Sequence, residues 1–314
     1  MFPWEVIQYL PLAGRIEYNG SMPELPEVET IVRSLVPKLI GLQIRSFKVL
    51  YPPLLREKSP GLMTKLKGKK ICSVRRRGKM ILIDCEGDTS LLVHLKMTGM
   101  FLFSWAEEPA DKHTHFILSF ENRKRELRFR DVRKFGFISC FRTAEASSVD
   151  ELRSLGPEPL EIGLASFQEL FQARKSRLKS LLLNQNFLAG IGNIYADEIL
   201  FQARLHPLTP ASRLRQVELK RLHGAMRDVL GRAIACQGST IRDYRNAVGQ
   251  EGGFQCFHQV YGREGLACTI CGRVIRRLRL SGRSTFFCPG CQKKKRGRSL
   301  RGHLISELSF FKHS

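Results

Sequence analysis

Four cysteines stand in two close pairs, Cys268-x2-Cys271-x16-Cys288-x2-Cys291. Two knuckles at this spacing bring four thiolates to the corners of a tetrahedron around one zinc ion. With sulfur at every corner the site is closed and structural, because a catalytic zinc needs an open coordination position. Its binding energy folds a segment too short to fold alone. Arg273, Arg276, Arg277, Arg279 and Arg283 lie between the pairs, so the hairpin either faces phosphates or serves as a solvated scaffold. Different chemistry is available at Met22-Pro23-Glu24-Leu25-Pro26-Glu27-Val28-Glu29. Removal of methionine before a small residue leaves Pro23 as a free secondary amine. An α-amino group titrates near about 7.7–8.0 against about 10.4 for lysine, so about a tenth of it is unprotonated at neutral pH. Such an amine can attack a sugar C1′ and form a Schiff base. Glu24 beside it can move protons, and Glu27 can tune both through the helix start. On the residues alone, the same stretch is an ordinary acidic helix N-terminus with proline in its first turn. A third feature, Gly190-Ile191-Gly192-Asn193, separates two helical patterns. It is either a backbone turn that admits a phosphate to a helix N-terminus or a plain helical hairpin with Asn193 as its cap.

These residues need elements to hold them. After Pro23 and Pro26, the apolar positions Val28, Ile31, Val32, Leu35 and Leu39 recur at helical spacing and Gly41 ends the run. Seven short segments then read as an antiparallel sheet system: Ile44–Leu50, Lys70–Val74, Met80–Cys85, Ser90–Leu95, His115–Phe120, Glu126–Arg130 and Phe135–Phe141. The prolines of Leu155–Leu160 mark a linker. The period returns to helical over Phe167–Ala173, Ser176–Leu183, Ile194–Ala203 and Val217–Ala235. A glycine-rich stretch around Val248–Gly253 leads into the cysteine pairs, and the chain closes on a basic segment, Lys293-Lys294-Lys295-Arg296, with no clear period until Leu304–Phe311. The fold class is α+β.

With 52 Lys and Arg against 29 Asp and Glu, the 314-residue chain carries a formal charge of +23 spread along its length, which points to a polyanionic partner. Its 43% hydrophobic content is enough for an ordinary core, and no apolar run reaches the length of a membrane span. Glu5 stands where a signal peptide wants a cation. The five remaining cysteines, Cys72, Cys85, Cys140, Cys236 and Cys256, are scattered, as expected of core thiols in a reducing compartment. A cytosolic protein is expected.

PELPEVET at 23–30 resembles the opening of the formamidopyrimidine-DNA glycosylases. In the same order as in that family follow RRRGKMILID (75–84), HLKMTG (94–99), DVRKFG (131–136), LGPEPL (155–160), AGIGNIYADEILF (189–201) and the hairpin ending GRSTFFCPGCQ (282–292). The resemblance covers residues 22–292. It implies an N-terminal antiparallel β-sandwich with a leading helix, then a helical domain with a helix-two-turn-helix and a four-cysteine zinc hairpin, with damaged double-stranded DNA lying between them. The chain then divides into an extension absent from the mature protein (1–21), a catalytic domain (22–153), the helix-two-turn-helix domain (154–255), the zinc hairpin (256–292) and a basic tail (293–314) that adds non-specific affinity.

The implied roles transfer by position. Pro23 is the Schiff-base nucleophile and Glu24 its acid/base partner. Lys79 donates the proton that assists β-elimination, and Arg283 serves δ-elimination and the flanking phosphates. Met97, Arg133 and Phe135 fill the void left by an extruded base: an apolar plug, a cation for the orphaned partner and a wedge. His113, Arg174 and Asn193 hold phosphates, with Arg174 where lysine is frequent in the family. By residue type alone, Lys79 is a solvent-facing strand-end lysine and Phe135 a core aromatic, and His115 competes with His113. The implied enzyme is a monomeric bacterial base-excision glycosylase and lyase, used at the nucleoid, that removes 8-oxoguanine and formamidopyrimidines. Two other classes stay in play: an endonuclease VIII-like enzyme for oxidised pyrimidines, disfavoured by PELPEVE in place of a PEGPE-like start, and a DNA-binding zinc-finger protein whose nucleophile is buried in the chain. An amide nitrogen has no nucleophilic lone pair, so the enzyme readings require that Met22 be the true start or that residues 1–21 be cleaved.

Overall fold

The structure, a computed structural model, describes residues 22–56, 61, 63–172, 174–240 and 249–294. The expectations for residues 1–21, for the tail from 295 on and for Leu304–Phe311 lie outside the described residues. The chain forms two compact units, one from the segment up to Arg153 together with Ala233–His258, the other from Ser154–Arg232 and Gln259 onward.

The first unit opens with helix α1 (Leu25–Leu39). Glu24 and Glu27 form a reciprocal capping box at its start, and Pro26 occupies the first turn, where a missing N–H costs nothing. Two four-stranded antiparallel sheets follow. One has the order β1 (Ile44–Val49), β6 (Thr114–Phe120), β7 (Arg125–Asp131), β5 (Gly99–Trp105). The other has the order β2 (Ile71–Arg77), β3 (Met80–Cys85), β4 (Thr89–His94), β8 (Phe137–Phe141). Both sheets and the apolar stripe of α1 share one core, from Val28, Ile31 and Leu35 through Ile81, Ile83, Leu91 and Val93 to Phe101, Phe116 and Phe129. Phe116 stacks on Phe129 at 5.5 Å, and Phe101 meets Phe129 edge-on at 5.7 Å. Among the described residues the expected sheet system is present, with one strand more than the seven that the sequence marks: β5 is the addition.

The short α2 (Asp150–Arg153) closes the first unit's leading segment. In the second unit come α3 (Leu164–Phe171), α4 (Leu178–Leu183), α5 (Asn193–Gln202) and α6 (Gln216–Ala235), whose last turn passes into the first unit. The hairpin β9 (Arg276–Leu280) and β10 (Arg283–Phe287) completes it. The stretch expected to be a linker is pinned in place: Gly156 N–H donates to Gln185 O at 2.9 Å, and Pro157 O accepts from Ala189 N–H at 3.1 Å. A side chain at Gly156 would meet the Phe187 carbonyl at 2.6 Å, so this segment packs flat against the α4–α5 turn.

Candidate active site and metal centre

Pro23 is buried at the head of α1, and the next side chain, Glu24, is only 2% exposed. The Glu24 N–H donates to Glu27 Oε2 at 2.9 Å, and Glu27 Oε1 accepts from the Ser239 N–H at 2.7 Å. Two acids thus sit in the positive field of a helix N-terminus, each with hydrogen-bond partners. The sequence offers Glu27 only a tuning role. Its bond to Ser239 spans 212 residues and has no local signature.

Lys79 lies in the two-residue turn that closes the β2–β3 hairpin, where Arg77 pairs with Met80 and Gly78 has φ +57°. Positive φ at the first central position matches a II′-type turn and holds the Lys79 backbone beyond the sheet edge. Met80 pairs in register with His94 on β4, a residue to which the sequence assigns no role. His94 is buried, its Nδ1 accepts from the Lys96 N–H at 3.0 Å, and its ring packs on Phe137. Burial, then the charges of Lys96, Lys79 and Arg56, push its pKa down to about 3, so the ring is neutral and surrounded by cations. Its polar type at the end of the apolar run Leu91-Leu92-Val93 is the available signal.

Met97, Arg133 and Phe135 come together. Arg133 Nη1 lies 3.0 Å from Met97 Sδ, and the Arg133 guanidinium is 4.8 Å from the Phe135 ring centroid. Phe135 is 53% exposed, not a core aromatic, and precedes the strand it was expected to open. One buried carboxylate holds both loops: Asp131 accepts from Thr98 Oγ1, from the Arg133 N–H at 3.2 Å and from the Gly136 N–H at 2.7 Å. The competing histidines separate cleanly. His115 is 1% exposed with Nε2 2.6 Å from Asp131 O, whereas His113 is half-buried at the loop end. That loop is pinned by Asp111, which binds Arg130 at 2.7 Å, Thr114 Oγ1 at 2.8 Å and the His113 N–H at 3.2 Å. Against the cost of its own burial, these donors draw Asp111 down to about 2, with Arg130 the strongest.

In the second unit Asn193 is the first residue of α5, and Gly192, not Asn193, is the cap. The Asn193 Oδ1 is buried and finds no hydrogen-bond partner among the described residues. The turn before it is fixed by Gln185, whose Oε1 accepts from the Gly190 N–H at 2.9 Å and whose Nε2 donates to Ile191 O at 2.8 Å. Arg174 is exposed between α3 and α4 and lies 5.8 Å from the Phe187 ring. Arg283 is exposed at the first position of β10, directly after Ser281 (φ +49°) and Gly282 (φ +78°). Two positive φ values in a two-residue loop are the mark of a I′ turn, whose twist suits a tight hairpin.

The four thiols of Cys268, Cys271, Cys288 and Cys291 lie within 4.8 Å of one another, with Cys268–Cys291 at 3.8 Å and Cys271–Cys288 at 3.4 Å. A tetrahedron of Zn–S bonds about 2.3 Å long has edges of about 3.8 Å, so the donor set fits one zinc ion. The ion would lock the hairpin carrying Arg283 and would take no part in chemistry. Among the described residues no helix is long and apolar enough to cross a membrane.

A four-cysteine cluster, a helix–glycine turn–helix and a two-sheet unit headed by Pro-Glu together define a zinc-finger protein of mixed α and β structure. The chain belongs to the formamidopyrimidine-DNA glycosylase family: its models for the N-terminal domain, the H2TH domain and the zinc finger found in FPG and IleRS match residues 22–138, 155–245 and 265–294. The formamidopyrimidine-DNA glycosylase of Solibacter usitatus is 46% identical over 274 residues, covering 87% of this chain and all of the relative. A Lactococcus lactis FPG variant solved with Fapy-dG containing DNA is 35% identical with a TM-score of 0.81, covering 87% of this chain and all of that one. The wild-type Lactococcus lactis FPG with an oxidized pyrimidine containing DNA matches at 35% identity and a TM-score of 0.80, with the same coverage.

Proposed function

We propose that the protein excises oxidised purines, 8-oxoguanine and formamidopyrimidines, from duplex DNA and cuts the resulting abasic strand by β,δ-elimination. The observation that carries this reading is the acid next to the nucleophile: Glu24, 2% exposed, follows Pro23 directly and is held by Glu27. The working polypeptide begins at Pro23, once Met22 is removed and residues 1–21 are absent. The amine lone pair forms the bond to C1′, and the glycosidic electrons leave on the base. Glu24 takes the amine proton and delivers it to the ring oxygen as the sugar opens to the iminium. Loss of the C2′ proton to solvent then breaks the C3′–O bond and expels the 3′ phosphate, which takes a proton from Lys79. Loss of the C4′ proton to solvent, in a second elimination served by Arg283, breaks the C5′–O bond and expels the 5′ phosphate. Met97, Arg133 and Phe135 occupy the gap left by the flipped nucleotide. His113, Arg174 and Asn193 hold the backbone.

Borohydride reduction during turnover tests this. The protein starting at Met22 is expected to be trapped covalently on 8-oxoguanine duplex, while the chain starting at Met1, in which the Pro23 nitrogen is an amide, is not. Efficient trapping of the Met1-start chain with its leader intact overturns the mechanism. A second reading, excision of oxidised pyrimidines, draws support from the Lactococcus complex with such DNA. A cleavage panel of purine and pyrimidine lesions ranks the two.

A further inference from the structure

A buried hydrogen-bond chain runs away from the nucleophile's end of α1. Glu24 N–H donates to Glu27 Oε2 at 2.9 Å, Ser239 N–H donates to Glu27 Oε1 at 2.7 Å, and Ser239 Oγ lies 3.0 Å from His258 Nε2. Glu24, Glu27, Ser239 and His258 are 2%, 2%, 3% and 4% exposed, so water does not substitute for any link. The backbone leaves no slack at the crossing. Gly238 has φ +80°, and a side chain there would meet Glu27 Oε1 at 2.7 Å. Gln255 ties the same segment, its Oε1 accepting from the Thr240 N–H at 2.9 Å and its Nε2 donating to Gly252 O at 2.6 Å. The His258 ring is also held edge-on by Phe254 at 5.7 Å.

We infer that His258 is a positioning residue for the glycosylase step, acting through Ser239 and Glu27 to fix the backbone of Glu24 and with it Pro23. The inference rests on the reading of Pro23 as nucleophile. An attacking nitrogen must lie within bonding reach of C1′, and a shift of about 1 Å can cost about a hundredfold in rate. Glu27 holds the Glu24 N–H through one carboxylate oxygen and is itself anchored through the other. The anchor is a backbone N–H whose own side chain is fastened by the imidazole.

The test uses the protein starting at Met22, with single-turnover excision of 8-oxoguanine at saturating enzyme as the readout. His258→Leu is expected to slow excision about ten- to a hundredfold, with affinity for duplex containing a tetrahydrofuran abasic analogue unchanged. His258→Gln, which can place an amide near the Nε2 position, is expected to restore most of the rate. Ser239→Ala keeps the N–H to Glu27 but loses the hydroxyl, and should resemble His258→Leu. The double variant should be no slower than either single one, because both cut the same link. Equal rates for His258→Leu and wild type overturn the inference. So do independent, multiplying effects of the two substitutions, or a parallel loss of affinity and thermal stability that Gln does not rescue. Failure of the wild-type protein to form a borohydride adduct is a separate result, and it overturns the nucleophile assignment on which this inference rests.

Discussion

Lys179 Nζ lies 2.8 Å from Asp197 Oδ1, with both side chains shut away from solvent. The pair ties α4 to α5 and reaches the zinc hairpin, since Lys179 also donates to Ser284 O at 2.9 Å and Asp197 accepts from the Phe286 N–H at 2.9 Å. Arg283 stands immediately before this anchored stretch.

Breaking that pair on one side should be costly. Lys179→Met leaves a buried carboxylate without its cation, and unfolding in urea should show a loss of about 3–5 kcal/mol. Burial already outweighs the pull of Lys179 and the Phe286 amide, pushing Asp197 up to about 7. The stranded acid therefore takes up a proton readily, and the loss should be smaller at pH 5 than at pH 8. Equal losses at both pH values argue against this account.

His94 sets an acid limit on the first unit. Its pKa in the folded protein is about 3, against 6.5 for the free side chain. The unfolded chain binds the extra proton first, so the contribution is present above about 6.5 and is lost as the pH falls toward 3. Within this window the slope from one such group is at most about 1.4 kcal/mol per pH unit. His94→Gln should flatten the dependence of stability on pH between 4 and 6. An unchanged slope rejects the assignment.

The exposed aromatic next to Arg133 separates function from folding. Phe135→Ala removes no core contact and should change stability by no more than about 0.5 kcal/mol. A wedge worth a few kcal/mol at a kinked step predicts a loss of about ten- to a hundredfold in excision from duplex. Arg133→Ala should fall most on discrimination between bases opposite the lesion. A Phe135→Ala protein that melts early but excises normally reverses the prediction.

Zinc content is directly measurable. Atomic absorption should give one ion per chain, and Cys288→Ser or chelation should abolish tight DNA binding while leaving the first unit folded by near-UV circular dichroism. The binding energy of structural zinc, about 10–16 kcal/mol in isolated fingers, leaves no folded hairpin without it. Full DNA affinity in chelator sinks the structural role.

Local chemistry is legible in the sequence, and distant pairing is not. Cysteine spacing discloses the metal centre because the ligands of each knuckle are near neighbours in the chain. The Gly190–Gly192 turn and the α1 stripe are visible for the same reason. Strand β5 escapes notice because Gly99-Met100-Phe101-Leu102-Phe103 has no polar alternation and follows Thr98 without a turn signal. Phe135 reads as a strand residue because nothing nearby shows that Asp131 captures the Gly136 N–H and turns the backbone before β8 can begin. His94 and Ser239 gain their meaning from neighbours that only the folded chain brings close.

The return of Ala233–His258 to the first unit has a consequence for biosynthesis. The ribosome releases the glutamates of the leading helix early, yet their anchor emerges only after the whole set of intervening helices. A nascent or prematurely terminated chain that ends before Ser239 can carry every residue of the two sheets and still lack the tether to Glu27 at the head of its leading helix. Emergence of Ser239, rather than folding of the two sheets, thus completes the anchoring of the leading helix.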